Sequence, residues 1–400
     1  MKSDLEVLYD LPMRDRLAEY LAVPFEDVEH LGPRWGMTAY VSPTLSGAEF
    51  LPYVADELGI IRNPRGTRIE DREARTSLGV PDERSRIYVT HGDEERYLVR
   101  PELFDDSVEH VWFADHIPVG ATKGTLPAFE NALDRQASTP PIEIALVGSD
   151  DFQREDRLPE DAYGLRDEFQ FDVHRFADVD ANQLRSILTR DFDVLHFVGE
   201  TRPDGFVTSD GILALSDLHQ VEIGVFFLQS DHSFEEALWL AEHGALGGIG
   251  TVGSVEEDQS FKFGTILAGL LNMGFPLRGA LDIARQEISG GDQFVLVGNG
   301  SIDVVQSDSS IPVLVTVEQA GKEFILNWES YPSGAFRVGS RVQPSPANSR
   351  PFIAPGDGGQ TVRLDANAVR TLFEQSQSPT RVDGQLLWTK TSILNELSLE

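Results

Sequence analysis

Between Ile142 and Val297 short apolar runs alternate with segments of helical spacing. The runs are Ile142–Val147, Phe171–His174, Asp193–Val198, Gly224–Leu228, Ala245–Val252 and Gln293–Val297. Helices are predicted between them over Ala181–Thr189, Phe234–His243 and Asp258–Asn272. Continuous apolar strands alternating with helices predict an α/β domain whose mainly parallel sheet is covered on both faces. In such a sheet, sites lie beyond the carboxyl ends of the strands.

The flanking parts read differently. Upstream, Ser46–Leu58 predicts one helix that starts at a capping serine, with Pro52 near its first turn. Arg86–Thr90 and Arg96–Arg100 flank His91–Glu95 as a hairpin, and Val111–Ala114 predicts a third strand. Downstream of Ser307 the pattern turns to strict alternation: Val313–Val317, Phe324–Trp328, Ala335–Val338 and Gln385–Thr389, with one helix over Asp365–Ser376. This predicts a small β-rich domain of sandwich type. The chain therefore divides into an N-terminal α+β segment (1–139), a central α/β domain opening at Pro140 and Pro141 (140–306) and a C-terminal β-rich domain (307–400). No internal repeat or low-complexity linker interrupts it.

Charge narrows the function classes. With 33 Lys and Arg against 66 Asp and Glu, the formal net charge is −33, and a phosphate-tracking surface must be cationic, so nucleic acid is excluded as a partner. The acids are spread along the chain, and only five of the cations are lysine. This composition resembles that of a halophilic archaeon, whose salty cytosol screens carboxylate repulsion. Met1–Tyr9 is charged and shows no secretory pattern, and the longest uncharged stretch, Phe263–Pro276, is too short to span a bilayer. A cytoplasmic protein without a membrane partner is expected. Residues 140–306 hold 30 acids and 10 bases, whereas residues 307–400 hold 10 and 8. The near-neutral C-terminal part is expected to pack on the other domains, or to meet a protein partner or a second copy.

Cysteine is absent, which removes disulfides, thiolate metal sites and any cysteine nucleophile. This matters because several motifs occur in a familiar order. They are Asp193–Gly199, Asp210–Leu218, Val225–Leu228, Gly244–Thr251, Gly274–Arg285 and Phe294–Gly298. In order and spacing, Ile142–Gly298 resembles the CHAT domain, a caspase-like fold in the clan of caspases and separases. The resemblance implies a His just after the glycine that ends the third strand and a Cys just after the fourth, acting as base and nucleophile. Those positions here hold Glu200 and Asp231. The family's dyad is therefore absent.

Other residues along the same edge need weighing. Glu200 and Asp231 are either drift in an acidic chain or a carboxylate pair for a cation or a basic peptide. Asp204 and Asp210 are candidate further oxygen ligands for a cation. His232 beside Ser233 invites a hydrolase reading, yet triads are assembled from separate elements, and Ser233 fits better as an N-cap completed by Glu236. His196 lies within a strand and reads as a packed, hydrogen-bonded histidine, while Ser230 joins it as a candidate cleft-lining residue. Gly248–Gly253 fits the dinucleotide pattern GxGxxG. It comes late in the fold, however, with Met273 where an acid belongs, so it reads as a buried strand and turn and no cofactor is expected. Together these residues point to a pseudo-peptidase that binds, scaffolds or regulates a protein partner, with no catalytic or metal-binding residues. The rival reading is an active hydrolase using Ser233, or Glu200 with Asp231.

Overall fold

The computed structural model describes residues 11–15, 34–69, 89–91, 94–135, 140–148, 163–165, 171–307, 311–342, 352–355, 362–375 and 377–399. The N-terminal segment contributes β1 (Trp35–Tyr40), α1 (Leu45–Ala48), α2 (Leu51–Asp56), β2 (Ile60–Arg62), β3 (Ser107–Trp112), β4 (Thr122–Lys123) and α3 (Leu126–Asp134). The single helix expected over 46–58 is two helices. Pro52 sits in the first turn of α2, where it has no N–H to bond back to Ala48. The cap is Thr44, whose Oγ1 accepts from Gly47 N at 3.1 Å, and not Ser46. The hairpin is also tighter than expected, pairing Val89–His91 with Glu94–Arg96. Leu98–Pro101 instead pairs with Gly66–Arg68 and Ile117–Pro118. Residues 86–88 of the expected hairpin lie outside the described residues.

The central part supplies β5 (Ile142–Gly148), β6 (Phe171–Ala177), α4 (Ala181–Leu188), β7 (Val194–Val198), β8 (Val225–Gln229), α5 (Phe234–Glu242), β9 (Gly247–Thr251), α6 (Glu257–Asn272), α7 (Leu277–Gln286) and β10 (Phe294–Gly298). The strands run in the order β6-β5-β7-β8-β9-β10, with β10 alone antiparallel. Alternate side chains feed two cores, as a doubly covered sheet requires. Leu195, Phe197, Phe226 and Leu228 pack with α4 and α5 on one face, while Val194, Val225 and Phe227 pack with α6 and α7 on the other. This mainly parallel, helix-covered sheet is the α/β architecture the sequence predicts.

The N-terminal strands extend the same sheet to ten strands, continuing β10-β4-β3-β1-β2. The join is parallel, with Lys123 opposite Val297, so β1 to β4 run against β5 to β9. Their carboxyl ends therefore lie on the opposite edge of the sheet. A buried ion pair fastens the parts together: Arg278 on α7 meets Glu109 on β3 at 3.1 Å, Ser301 Oγ at 2.7 Å and the Pro332 carbonyl at 2.7 Å. Thr122 Oγ1 donates to the other Glu109 oxygen at 2.7 Å.

The C-terminal part has β11 (Val313–Ala320), β12 (Glu323–Ser330), β13 (Val362–Asp365), α8 (Ala366–Gln375), β14 (Thr380–Val382), β15 (Gln385–Leu387) and α9 (Lys390–Glu396). Among the described residues its main sheet has five strands, β13-β12-β11-β14-β15, beside a two-stranded pair of Arg341–Val342 with Phe352–Ile353, and it is not a sandwich of two such sheets. Val315, Val317, Leu326 and Trp328 pack under α8 and α9, which take the place of a second sheet. Leu314, Leu386 and Trp388 face the core of α6 and α7, so the sheet docks on the central domain. Arg381 adds an ion pair to Glu287 at 2.6 Å. The strand expected over Ala335–Val338 is a loop, closed by Ser333, whose N–H donates to the Phe336 carbonyl at 3.0 Å and whose Oγ accepts the Phe336 N–H at 3.3 Å.

Candidate functional site

The carboxyl edge of β7 and β8 carries the two positions singled out by sequence. Val198 pairs with Gln229 at the end of the ladder, so Gly199-Glu200 and Ser230-Asp231 leave neighbouring strands side by side. Ser230 Oγ accepts the Thr201 N–H at 2.9 Å and lies 3.0 Å from Thr201 Oγ1, tying the two exits together. Each carboxylate has one partner among the described residues. Glu200 accepts from Arg202 Nε at 3.1 Å, and Asp231 Oδ1 accepts the Val255 N–H at 3.1 Å.

Asp204 and Asp210 do not complete a ligand set with them. Thr201–Arg202, Gly205–Thr208 and Gly211–Ala214 form a small antiparallel sheet where a loop was expected. The two aspartates sit at opposite ends of its middle strand, which spans roughly 13 Å at the usual rise per residue. Asp210 is held there by the Ala181 N–H and Thr208 Oγ1, both at 2.9 Å, and the Ala181 N–H first among them lowers its pKa. Among the described residues, the one cluster with ligand-like spacing is Glu143, Asp172 and His174, at the amino ends of β5 and β6. Its Glu143 also pairs with Arg190 at 3.3 Å.

Neither Ser233 nor His196 lines the edge, because both are completely buried. Ser233 occupies the N-cap position of α5 but makes no capping bond. Its hydroxyl donates to the Ser230 carbonyl at 3.0 Å and accepts the Thr251 N–H at 3.1 Å, which consumes the group a nucleophile would need. Glu236, the expected partner of that cap, points into the protein with neither oxygen bonded among the described residues. Burial pushes its pKa up to about 8, favouring the neutral acid. His232 is at φ +55° with Nε2 3.4 Å from Ser254 Oγ, turned away from Ser233. His196 sits between Tyr163 and Gln229, each at 3.2 Å, and burial holds its pKa down to about 4. The neutral ring donates from Nε2 to the Gln229 carbonyl and accepts the Tyr163 hydroxyl at Nδ1.

Gly248 and Gly250 lie inside β9 and are buried. A Cβ at Gly248 would meet the Phe226 ring at 2.3 Å, so the glycine serves strand packing and not a pyrophosphate. One group escaped the sequence reading altogether. Lys123, at the carboxyl end of β4, lines a cavity of about 440 Å³ on the opposite edge.

No protein-family model and no curated protein matches the chain. Solved structures similar to it include the complex of the Porphyromonas gingivalis RgpB pro- and mature domains, at 9% identity over 87% of this chain and 100% of that chain, with a TM-score of 0.44. The Arg-specific cysteine proteinase gingipain R is similar at 10% identity over 88% and 98%, with a TM-score of 0.43. The Saccharomyces cerevisiae separase–securin complex is similar at 12% identity over 43% of this chain and 13% of that chain, with a TM-score of 0.34. Among the described residues, no helix is long and apolar enough to cross a membrane.

Proposed function

We propose that the chain is a degenerate CHAT-like pseudo-peptidase, a protein-binding, scaffolding or regulatory module that performs no peptide hydrolysis. The observation that carries this reading is the state of the two dyad positions. Each holds a carboxylate already engaged, Glu200 by Arg202 and Asp231 by the Val255 N–H, and the adjacent hydroxyl of Ser233 is buried with its hydrogen bonds spent. Neither position holds the thiol or imidazole of the family's dyad, and the Ser233 hydroxyl gives its proton to a backbone carbonyl and not to a base. On this reading residues 1–139, 140–306 and 307–400 are three domains of a cytoplasmic protein from a halophilic archaeon. Its partner is a protein or a second copy, met through the part of residues 307–400 that is not docked on α6 and α7.

Incubation with a fluorophosphonate probe and with a diverse peptide library in molar potassium chloride tests the reading. Neither labelling nor cleavage is expected. Labelling that disappears in a Ser233→Ala variant would overturn it.

A further inference from the structure

The cavity on the opposite edge lies just beyond the carboxyl ends of β3 and β4, where the strand direction of the sheet has reversed. In α/β sheets ligands bind beyond the carboxyl ends of strands. One wall is apolar, formed by Phe50, Phe113, Leu126, Pro127 and Leu238. Gly124 shapes it, since a Cβ there would meet the Phe113 ring at 2.4 Å.

The rest of the lining is polar: Lys123, Arg96, Thr125 and His116 stand beside the carboxylates of Asp115 and Glu242. Helix α3 begins in this lining without a side-chain cap, and because Pro127 has no N–H, the remaining N–H groups of its first turn and the positive end of its dipole are what it offers. Thr125, at the cap position, is 5% exposed, and its hydroxyl has no hydrogen-bond partner among the described residues. A buried hydroxyl without a partner is destabilising, a cost that a ligand atom would recover. Lys123 Nζ donates one bond, to the Ala114 carbonyl at 2.5 Å, and has two further protons. Arg96, also in the lining, is drawn to Glu235 at 2.9 Å, which offsets its charge. Burial first, and Arg96 second, bring the Lys123 amine down to about 8, while Asp115, Glu242 and Glu235 oppose the fall. The amine is therefore an ammonium at neutral pH. The same three acids disfavour a ligand carrying more than one negative charge.

We propose that this cavity binds a small organic monocarboxylate, its charged end held by Thr125, Lys123 and the start of α3 and its apolar body against Phe113, Leu126 and Leu238. The site is independent of the Glu200–Asp231 edge.

Calorimetric titration of the full chain with 3-phenylpropionate tests this, with 3-phenylpropanol and inorganic phosphate as probes lacking the charge or the body. Saturable binding of the acid alone is expected, weakening about tenfold per pH unit above 8 as Lys123 loses its proton. Lys123→Met should abolish it. Thr125→Val should weaken it several-fold with an unchanged or raised melting temperature, because the lost hydroxyl had no partner in the free protein. The proposal fails if the alcohol or phosphate binds as well as the acid, if both variants bind like the wild type, or if no saturable heat appears.

Discussion

His196 illustrates how one residue couples packing to pH. It lies in the core between Phe227 and the glycine at 264, where a Cβ would sit 2.7 Å from Gln229 Oε1 and displace the imidazole's acceptor. Burial lowers the folded pKa to about 4 from an ordinary 6.5, so the unfolded chain binds the extra proton between those values. Stability from this group is complete above pH 6.5 and is lost as pH falls toward 4, by about 3 kcal/mol in all. Denaturant unfolding across that window should show this loss, and His196→Gln should flatten it. An unchanged slope would mean that the imidazole titrates normally. A histidine inside an apolar strand was legible in sequence as a packed residue. The fates of Ser233 and Glu236 were not, because the loop from Gln229 to Ser233 offers the hydroxyl a backbone carbonyl that competes with the cap.

At the scale of elements, two glycines let the C-terminal sheet settle on the central helices. Gly269 on α6 faces Trp388, and Gly279 on α7 faces the Tyr331 ring, which a Cβ would approach to 2.8 Å. An exposed Gly→Ala change in a helix gains roughly 1 kcal/mol. Gly279→Ala should instead destabilise by about 1–3 kcal/mol, since the ring has to shift, and should become harmless in a Tyr331→Ala background. Thermal unfolding of the four proteins in that cycle decides it, and a stabilising Gly279→Ala would refute the docking. Five of the six central strands were readable as short apolar runs bounded by polar turns, whereas the edge strand β6, carrying Asp172, His174 and Arg175 and half exposed, was legible only to His174. The C-terminal sandwich was a misreading of the same alternation. Period two shows that one face of a sheet is buried, but not whether a second sheet or a helix pair covers it, and the helix α9 left no strong apolar stripe to announce itself.

Across the whole molecule, one ten-stranded sheet presents two edges of different chemistry. The edge at Glu200 and Asp231 was legible because it is built from two short segments whose strands are neighbours. The Lys123 cavity was not, because its walls come from residues scattered between Phe50 and Glu242 and meet only once the reversed strands β3 and β4 join β10. The three parts are locked by the buried Arg278–Glu109 pair, in which burial raises the Glu109 pKa and Arg278 opposes the rise. Their relative placement thus depends on a charge balance that no single segment displays. The proposed function sets Glu200 and Asp231 face to face at the exits of the neighbouring strands β7 and β8. A chain without cysteine allows a direct measurement, the pH dependence of alkylation of the sole thiol in Asp231→Cys with and without Glu200→His. If the two positions face each other, the added imidazole lowers the thiol pKa below its value in the single variant, which stays near or above the ordinary ~8.5. Identical pH profiles in the two variants would contradict the account.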